Sequence, residues 1–372
     1  MPKPLAHFKI LDFSRILAGP FATQLLADLG AEVFKIEPLE GDPTRTWGPP
    51  YDDGEQGDTP YFRCSNRGKR SLCLDLEDPG ARATVEELLK ASDVVVENFL
   101  PDSAERLGFT WETLHDKYPK LIVASLRGFA SDVPASRRPG YDFILQAESG
   151  WMSLNGDPQG RPMQVGTALV DVLGALYLAN GIQAALLHRE RCGEALHVEV
   201  PLMEAALAGL VNVGVRTLMT GEAPRRLGNA HPHLVPFQTF ACADGDVAVG
   251  VGSDRQFEIL ALWADLDLTL EPQWRGNRGR VKDRERLVPL LEAHFAKFSV
   301  ADAIDFCETN TIPASPVRTV DDVLFRQAGH IHHLINTLYD EAAGRMVPVL
   351  ASPVLLNDER CCSDLPPARW PE

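Results

Sequence analysis

The sequence lacks the local signatures that mark several common enzyme classes. No Gly-x-Gly-x-x-Gly motif is present, because Gly250 and Gly252 are followed by Arg255 where the third glycine would stand. There is also no phosphate-binding loop ending in Gly-Lys-Ser/Thr, no Gly-x-Ser-x-Gly elbow and no His-Glu-x-x-His. A nucleotide oxidoreductase, an NTPase and a standard serine hydrolase therefore have no local support.

Positive charge is scarce. Lys and Arg number 36 against 52 Asp and Glu, which gives a formal net charge of −16. Nucleic acids and anionic membranes are bound by clustered basic residues, so we expect neither as a partner. No uninterrupted apolar run reaches the roughly 18 residues of a membrane span, and the opening Met1–Pro4 leads directly into a strand pattern without a signal peptide. An anionic small ligand remains compatible with this composition, since a local basic patch can lie on an acidic protein.

Patterned cysteine and histidine are missing as well. The seven cysteines include no Cys-x-x-Cys pair, and Cys361 and Cys362 are adjacent near the C-terminus. An odd, unpatterned count is typical of a reducing cytoplasm. His330, His332 and His333 have no carboxylate or cysteine pattern beside them, so we predict no metal site.

Alternating strand and helix patterns dominate the first part of the chain. A strand-like segment (7–13) is followed by a helix opened by Pro20 and by a second strand (32–36). Further strands are predicted at 94–96 and 121–126. Such alternation favours an α/β fold with an open, mostly parallel sheet covered on both faces.

A chain of 372 residues with 45% hydrophobic residues is large enough for two domains. We predict a long helix over 169–191 and a strand over 197–200, after which the pattern changes to short strands and helices. The sequence thus predicts a large domain (1–224), a smaller α+β domain (225–320) and a return segment (321–372) that packs on the large domain.

Asp171 stands at the start of the long apolar helix, in Gly166-Thr167-Ala168-Leu169-Val170-Asp171. Free backbone N–H groups and the helix dipole favour a carboxylate there. Two interpretations follow. Asp171 either only caps the helix, which is the commoner role, or the same field keeps it ionised and aimed as a nucleophile.

The segment from Leu11 to Ala31 (LDFSRILAGPFATQLLADLGA) resembles the opening signature of the family III CoA-transferases. This group also includes formyl-CoA transferase, carnitine CoA-transferase and the 2-methylacyl-CoA racemases. Further matches occur in the family's order and cover nearly the whole chain: Lys35-Ile36-Glu37, Asn66-Arg67-Gly68-Lys69-Arg70-Ser71, Val96-Glu97-Asn98-Phe99, Pro139-Gly140-Tyr141-Asp142 and Gly228-Asn229-Ala230-His231-Pro232.

The resemblance implies a Rossmann-like large domain, a small domain and a homodimer of two interlocked chains. It implies Asp171 as the catalytic carboxylate, with acyl-CoA and a small carboxylic acid as partners. CoA would be substrate and product, and no cofactor would be bound permanently. Family positions for CoA fall on these residues: Lys69, Arg70, Leu74, Asn98, Phe99, Arg106 and Leu107. Arg and Lys would meet phosphates and an apolar slot would take the adenine. Alternatively, Lys69 and Arg70 form a solvated patch and Phe99 belongs to the core.

Departures from the family narrow the expected substrate. Formyl-CoA transferase has Arg in place of Pro38 and Gln in place of Leu17, which suggests a substrate other than formate or oxalate. Racemases of the group carry His where this chain has Tyr141. Tyrosine, with an ordinary pKa of about 10, is a poor proton shuttle at neutral pH. The expected reaction is therefore CoA transfer, with a racemase or an inert CoA-binding relative as the alternatives.

Two arginines suit a substrate with a second carboxylate. Arg45 lies in a run (44–50) similar to that of succinyl-CoA:dicarboxylate CoA-transferases, and Arg15 lies in the opening signature. Each could hold a free carboxylate. Each could equally form a structural salt bridge or contact a phosphate. The segment Gly250–Ser253 corresponds to a flexible glycine loop that covers the intermediate in formyl-CoA transferase. It has fewer glycines than that loop, so its role as a lid stays open.

Overall fold

The computed structural model describes residues 3–50, 59–326, 333–341 and 344–368. The chain forms two compact units. The first unit comprises Met1–Met152, Gln164–Pro224 and Ile331–Glu372, and the second comprises Ser153–Met163 and Arg225–His330.

A six-stranded, wholly parallel sheet is the centre of the first unit. Its strands are β1 (Lys9–Asp12), β2 (Glu32–Glu37), β3 (Lys69–Cys73), β4 (Val94–Glu97), β5 (Ile122–Arg127) and β6 (His197–Pro201). They lie in the order β3-β2-β1-β4-β5-β6, which is the strand order of a Rossmann fold. The predicted α/β class and its Rossmann-like sheet are thereby confirmed.

The strands read as apolar runs because both faces of the sheet are covered. In β4, Val94 and Val96 belong to one core, which also contains Leu178 and Ile182 of the long helix. Val95 points to the opposite core with Val85. Alternate residues of one strand thus fill two separate layers of helices.

Within the described residues, the first unit contains nine α-helices besides a short one at its border. They are α1 (Ala18–Asp28), α2 (Pro60–Arg63), α3 (Pro79–Lys90), α4 (Pro101–Leu107), α5 (Trp111–Lys117), α6 (Asp142–Glu148), α8 (Leu169–Cys192), α9 (Leu202–Gly209) and α10 (Val211–Thr220). Helices α1, α5, α8 and α9 are among those that contact the sheet. A 3₁₀ turn spans Pro43–Thr46. The short helix α7 (Trp151–Leu154) lies where the chain passes between the units.

Helix α8 passes a length and composition test for a membrane span, which a count of uninterrupted apolar residues had missed. The bent pair α9 and α10 passes it together. Half of the most apolar window of α8 is buried inside the protein, where the helix packs on α1, β5, β6 and α9. The buried core helix of a protein without any membrane span passes the same length and composition test.

The second unit combines an antiparallel sheet with helices, as predicted for the smaller domain. Its elements are β7 (Phe237–Cys242), β8 (Gly245–Gly250), α11 (Asp254–Trp263), a 3₁₀ turn (Pro272–Arg275), α12 (Asn277–Lys282), α13 (Arg284–Phe295), α14 (Val300–Thr309), β9 (Ala314–Pro316) and a π-helical turn (Asp322–Arg326). The glycine-containing segment after β8 leads to Ser253, which caps α11.

The predicted domain boundaries need two corrections. Residues 321–326, predicted in the return segment, group with the second unit, and so do residues 153–163, predicted in the large domain. The reason is local: the Arg226 guanidinium donates hydrogen bonds to the carbonyl oxygens of Asp157 (3.2 Å) and Gly160 (2.7 Å).

From residue 333 onward, the described part of the return segment belongs to the first unit. It contains two hairpins, β10 (Ile335–Asp340) with β11 (Arg345–Leu350) and β12 (Leu355–Leu356) with β13 (Glu359–Arg360). Gly68 N donates to the carbonyl oxygen of Leu365 at 2.9 Å, and Ser363 N donates to Asp28 Oδ1 at 2.9 Å. These bonds tie the segment to β3 and α1. Of the histidines considered above, His330 and His332 lie outside the described residues.

The sequence analysis did not predict β3 as a strand, and the structure changes the meaning of its two basic residues. Lys69 is buried, and its Nζ lies 3.0 Å from Asp12 Oδ2 and donates to the carbonyl oxygen of Pro20 and to Asn66 Oδ1. Arg70 is exposed and pairs with Glu32. Both stand at the amino end of β3, whereas ligands of such sheets bind at the carboxyl ends.

We predict that Lys69 supports the fold and that its neighbour does not. Lys69→Met leaves Asp12 buried without its main partner, so the free energy of unfolding should fall by about 3 kcal/mol or more. Arg70→Met, the matched control, should change it by no more than about 0.5 kcal/mol because the lost pair is solvated. Urea denaturation measures both. An unchanged free energy of unfolding in Lys69→Met would contradict the structural role assigned to Lys69.

Candidate active site

An opening at the carboxyl edge of the sheet lies between β1 and β4. The chain leaves these two strands in opposite directions, and such a switch point is where Rossmann-type sheets bind ligands. A cavity of about 320 Å³ occupies it. Its wall includes the turn after β1, the turn after β4, the segment before α6, and Asp171 at the start of α8.

Asp171 is 7% exposed and lines this cavity. Its carboxylate accepts no hydrogen bond from the described residues. A buried carboxylate without donors is unfavourable for stability alone, because burial strips it of water. Such a group is typical of a functional site.

Asp142, at the start of α6, takes the capping role that Asp171 was considered for. Its Oδ1 accepts from Val170 N at 2.7 Å and from Asp171 N at 3.4 Å, and its Oδ2 accepts from Gln146 Nε2 at 2.7 Å. The N-cap residue of α8 is Ala168, whose side chain makes no capping hydrogen bond. The capping interpretation of Asp171 is therefore not what the structure shows.

The ionisation of Asp171 also differs from the expectation. The sequence analysis expected the helix start to keep the carboxylate ionised. Instead, burial and the nearby Asp142 carboxylate raise the pKa of Asp171 to about 7. The N–H groups that would have favoured the charge are bound to Asp142.

The turn after β1 (Ser14–Leu17) carries three side chains to the cavity. Arg15, Ile16 and Leu17 all line it. Ile16 has φ of 73°, a left-handed conformation that β-branched residues rarely adopt. Within the described residues, the Arg15 guanidinium makes no ion pair, and the N–H groups of Leu17 and Ala18 donate to no backbone carbonyl.

Tyr141, the residue expected to separate transferase from racemase, lines the same cavity and is 56% exposed. It follows Gly140, which packs on Gly128 so closely that a Cβ on Gly140 would lie 2.5 Å from the Gly128 Cα. No larger residue fits at that contact, so the tyrosine's position depends on both glycines. No histidine is among the described residues that line this cavity.

A second cavity of about 230 Å³ lies on the other side of the β1 turn, at the carboxyl ends of β2 and β3. Four of the seven residues implied for CoA line it together with Arg15: Leu74, Phe99, Arg106 and Leu107. Arg15 and Phe99 line both cavities. Lys69 and Arg70 line neither, which differs from the position expected for them. The Arg106 guanidinium pairs with Glu77 at the exposed rim.

Asn98 lines the first cavity, but its amide is engaged with the protein. Its Oδ1 accepts from Arg15 N at 3.0 Å and its Nδ2 donates to the Arg15 carbonyl oxygen at 3.0 Å.

Arg45 lines neither of these two cavities. Its Nε donates to Glu37 Oε2 at 2.8 Å and its Nη2 to Glu37 Oε1 at 2.7 Å, and the guanidinium stacks on Phe62 at 3.6 Å from the ring centre. Burial opposes ionisation of Glu37, yet Arg45 lowers its pKa to about 2. The salt-bridge alternative is therefore the one that the structure contains, and the carboxylate-binding expectation for Arg45 is corrected.

A third cavity, of about 510 Å³, opens on the other side of Asp171. Its aromatic residues include Trp47 and Tyr61, which the sequence analysis did not select. Burial and the nearby Asp171 raise the pKa of the Tyr61 hydroxyl to about 12, so it remains a proton donor at neutral pH. Trp47 lay in the quoted run near Arg45, but nothing in the sequence marked Tyr61. None of the described residues lining this cavity is Lys or Arg.

Comparison with known proteins decides the family. The sequence pattern of CoA-transferase family III matches residues 5–368. This chain belongs to that family. The CoA-transferase is 37% identical to succinate–glutarate CoA-transferase of Agrobacterium fabrum, over 95% of this chain and 90% of the relative. It is 38% identical to acetyl-CoA:oxalate CoA-transferase of Acetobacter aceti, over 85% and 81% of the two chains. A crystal structure of a CAIB/BAIF family protein from Brucella suis superposes with a TM-score of 0.87 at 35% identity, covering 99% and 96%.

The raised pKa of Asp171 predicts a pH-dependent stability of the CoA-transferase. Its ordinary pKa is 3.8 and its folded pKa about 7, so between these values the folded state binds more protons and stability falls as pH rises. Asp171→Asn should therefore raise the free energy of unfolding at pH 8, by on the order of 2 kcal/mol, with no such gain at pH 4.

The matched control for that measurement is Asp142→Ala. It removes the cap of α8 and should lower stability by about 1 kcal/mol at pH 5. Urea denaturation at each pH gives both values. Equal losses for Asp171→Asn at low and high pH would show that Asp171 is a cap after all.

Proposed function

We propose that this CoA-transferase moves CoA from a short diacid thioester, succinyl-CoA or a close relative, to a carboxylic acid, with Asp171 as the carrier. The observation that carries the proposal is the Asp171 carboxylate, which is buried at the point where two cavities meet and accepts no hydrogen bond from the described residues. A carboxylate nucleophile must reach a substrate carbonyl directly, and hydrogen-bond partners would oppose this.

The proposed reaction begins when an Asp171 oxygen attacks the thioester carbonyl. The carbon–sulfur bond breaks, CoA thiolate leaves, and an aspartyl–acyl anhydride forms. The thiolate then attacks the Asp171 side-chain carbonyl, releases the donor acid as a carboxylate and leaves an aspartyl-CoA thioester. The acceptor carboxylate reverses both steps, which restores Asp171. No net proton or electron is exchanged.

The oxyanions formed in these steps need donors, and the N–H groups at the start of α8, beside Asp171, are one candidate. Those N–H groups are engaged with Asp142. The start of α1 is the better candidate, because Leu17 and Ala18 line the cavity of Asp171 and their N–H groups have no backbone partner within the described residues. Donors preorganised at a helix start stabilise developing negative charge.

We assign the nucleotide end of CoA to the second cavity, with its apolar wall (Leu74, Phe99, Leu107) and Arg106 at the rim. Arg15 lines both cavities, and its guanidinium forms no ion pair with any residue that the structure describes. It is therefore suited either to a CoA phosphate or to the carboxylate of a substrate. Of the two arginines proposed for a diacid, only Arg15 remains.

The acyl group would extend into the third cavity. Because its described wall has no cation, a distal carboxylate there would be met by hydroxyl groups such as those of Tyr61 and Tyr141. The names of the relatives support short diacids as substrates. A racemase is less well supported, since no histidine lies among the described residues of the three cavities.

We further propose an interlocked homodimer. Helix α10 has no buried residue within one chain, and Leu218 and Met219 are 88% and 81% exposed. Apolar side chains of this size are usually covered by a partner. We also propose a cytoplasmic location; none of the seven cysteines, all in the described part of the chain, forms a disulfide.

A panel of acyl-CoA donors and acids, read by mass spectrometry of the CoA products, tests the function. Succinyl-CoA with glutarate should outperform formyl-CoA and long-chain thioesters, and kcat/KM should rise with pH through about 7 as Asp171 ionises. Asp171→Asn should lower turnover by at least about 10³-fold. Asp116→Asn, an exposed Asp elsewhere, serves as the control.

Two outcomes of the panel would contradict the proposal. If a branched long-chain acyl-CoA were the best substrate and exchanged its α-proton with solvent, the enzyme would be a racemase. If no donor and acid pair exchanged CoA, the chain would be an inert CoA-binding relative.

A further inference from the structure

The turn Ser14–Leu17 is held in an unfavourable backbone conformation. Ile16 has φ of 73° in a region that suits glycine far better than a β-branched residue. Such strain persists only where contacts from surrounding residues hold the backbone in place, and it occurs mainly at functional sites. The side chains that hold this turn are Asn98, Asp42 and Lys35.

Asn98, the residue after β4, holds the middle of the turn. Its side-chain amide makes both possible bonds to the backbone of Arg15, accepting from N and donating to O, each at 3.0 Å. This paired geometry fixes the orientation of the Arg15 peptide groups relative to β4. Asn98 thus reaches across the switch point from the neighbouring strand.

Asp42 and Lys35 hold the two flanking positions. Asp42 Oδ2 accepts from Ile16 N at 3.3 Å and lies 2.9 Å from Lys35 Nζ, which donates to the Ser14 carbonyl oxygen at 2.8 Å. The side chains of Lys35 and Asp42 are 1% and 0% exposed. Buried so completely, Asp42 can act on a ligand only through the turn.

Building on the proposed function, we propose that Asn98 and Asp42 are positioning residues, which hold the strained turn so that Arg15 and the N–H groups of Leu17 and Ala18 face the cavity of Asp171. Arg15 would serve substrate binding and the N–H groups the transition state. Loss of the Asn98 or Asp42 side chain should therefore affect both substrate binding and turnover.

A direct contact between Asn98 and CoA, which the family resemblance implies, makes a different prediction. A contact that holds CoA equally in the ground and transition states changes KM alone. A turn that carries both a binding group and oxyanion donors changes KM and kcat together. The two roles are separable by kinetics.

The test uses the full-length Asn98→Ala enzyme with succinyl-CoA and glutarate as the probes. We expect kcat to fall at least tenfold and KM for succinyl-CoA to rise several-fold. A displacement of catalytic groups by about 1 Å can lower the rate by about 10²-fold. Hydrogen exchange of the Arg15 and Ile16 amides should quicken at least tenfold, while α8 exchanges as in the wild type. Asn310→Ala, which loses a side-chain bond in the second unit, is the control and should change none of these.

The exchange measurement needs no turnover, so it separates this proposal from the proposed function. A change in KM alone, with unchanged exchange at Arg15 and Ile16, would make Asn98 a direct ligand and overturn the proposal. Asp42→Asn should quicken exchange at Ile16 in the same way. Asp42→Asn weakens a buried ion pair and can prevent folding. The decisive variant is therefore Asn98→Ala.

Discussion

Two buried ion pairs under the carboxyl ends of β1 and β2 constrain everything else at the site. Lys69 bonds Asp12 at 3.0 Å and Lys35 bonds Asp42 at 2.9 Å, with all four side chains at most 1% exposed. Burial opposes the charge of Asp12, and Lys69 and Lys35 nonetheless hold its pKa below the usual range. Removing one partner would leave a buried charge uncompensated, so these side chains have little freedom to move. Through Ser14 and Ile16 they hold the turn that lines the cavity of Asp171.

Asp171 represents the opposite arrangement, in which a buried carboxylate has no hydrogen-bond donor in the part of the chain that the structure describes. The stabilising cap of α8 is supplied by Asp142, which also opposes the charge on Asp171. The start of α8 is therefore capped without help from Asp171, whose burial beside Asp142 lowers stability instead. Functional sites often contain groups whose burial lowers stability in this way.

Local patterns in the sequence predicted the fold better than they predicted the site. The apolar runs of β1, β4 and β5 marked buried parallel strands, and the resemblance pointed to Asp171 and to the residues around Phe99. Strand β3 was missed because Lys69, Arg70 and Ser71 are polar, and a buried ion pair cannot be read from one strand alone. Arg45 was assigned to substrate binding because its ion pair with Glu37 joins the 3₁₀ turn Pro43–Thr46 to the end of β2, and that contact depends on how the chain folds. Tyr61 and the cap by Asp142 depend on tertiary contacts that no local spacing records.

The central claim is that Asp171 itself carries the acyl group and then CoA. Incubation of the enzyme with succinyl-CoA, followed by hydroxylamine or borohydride and peptide mass spectrometry, tests it directly. We predict modification of a single carboxylate, in the peptide from the start of α8 at Asp171, and its disappearance in Asp171→Asn. A label on another carboxylate, or the same label in Asp171→Asn, would contradict the account.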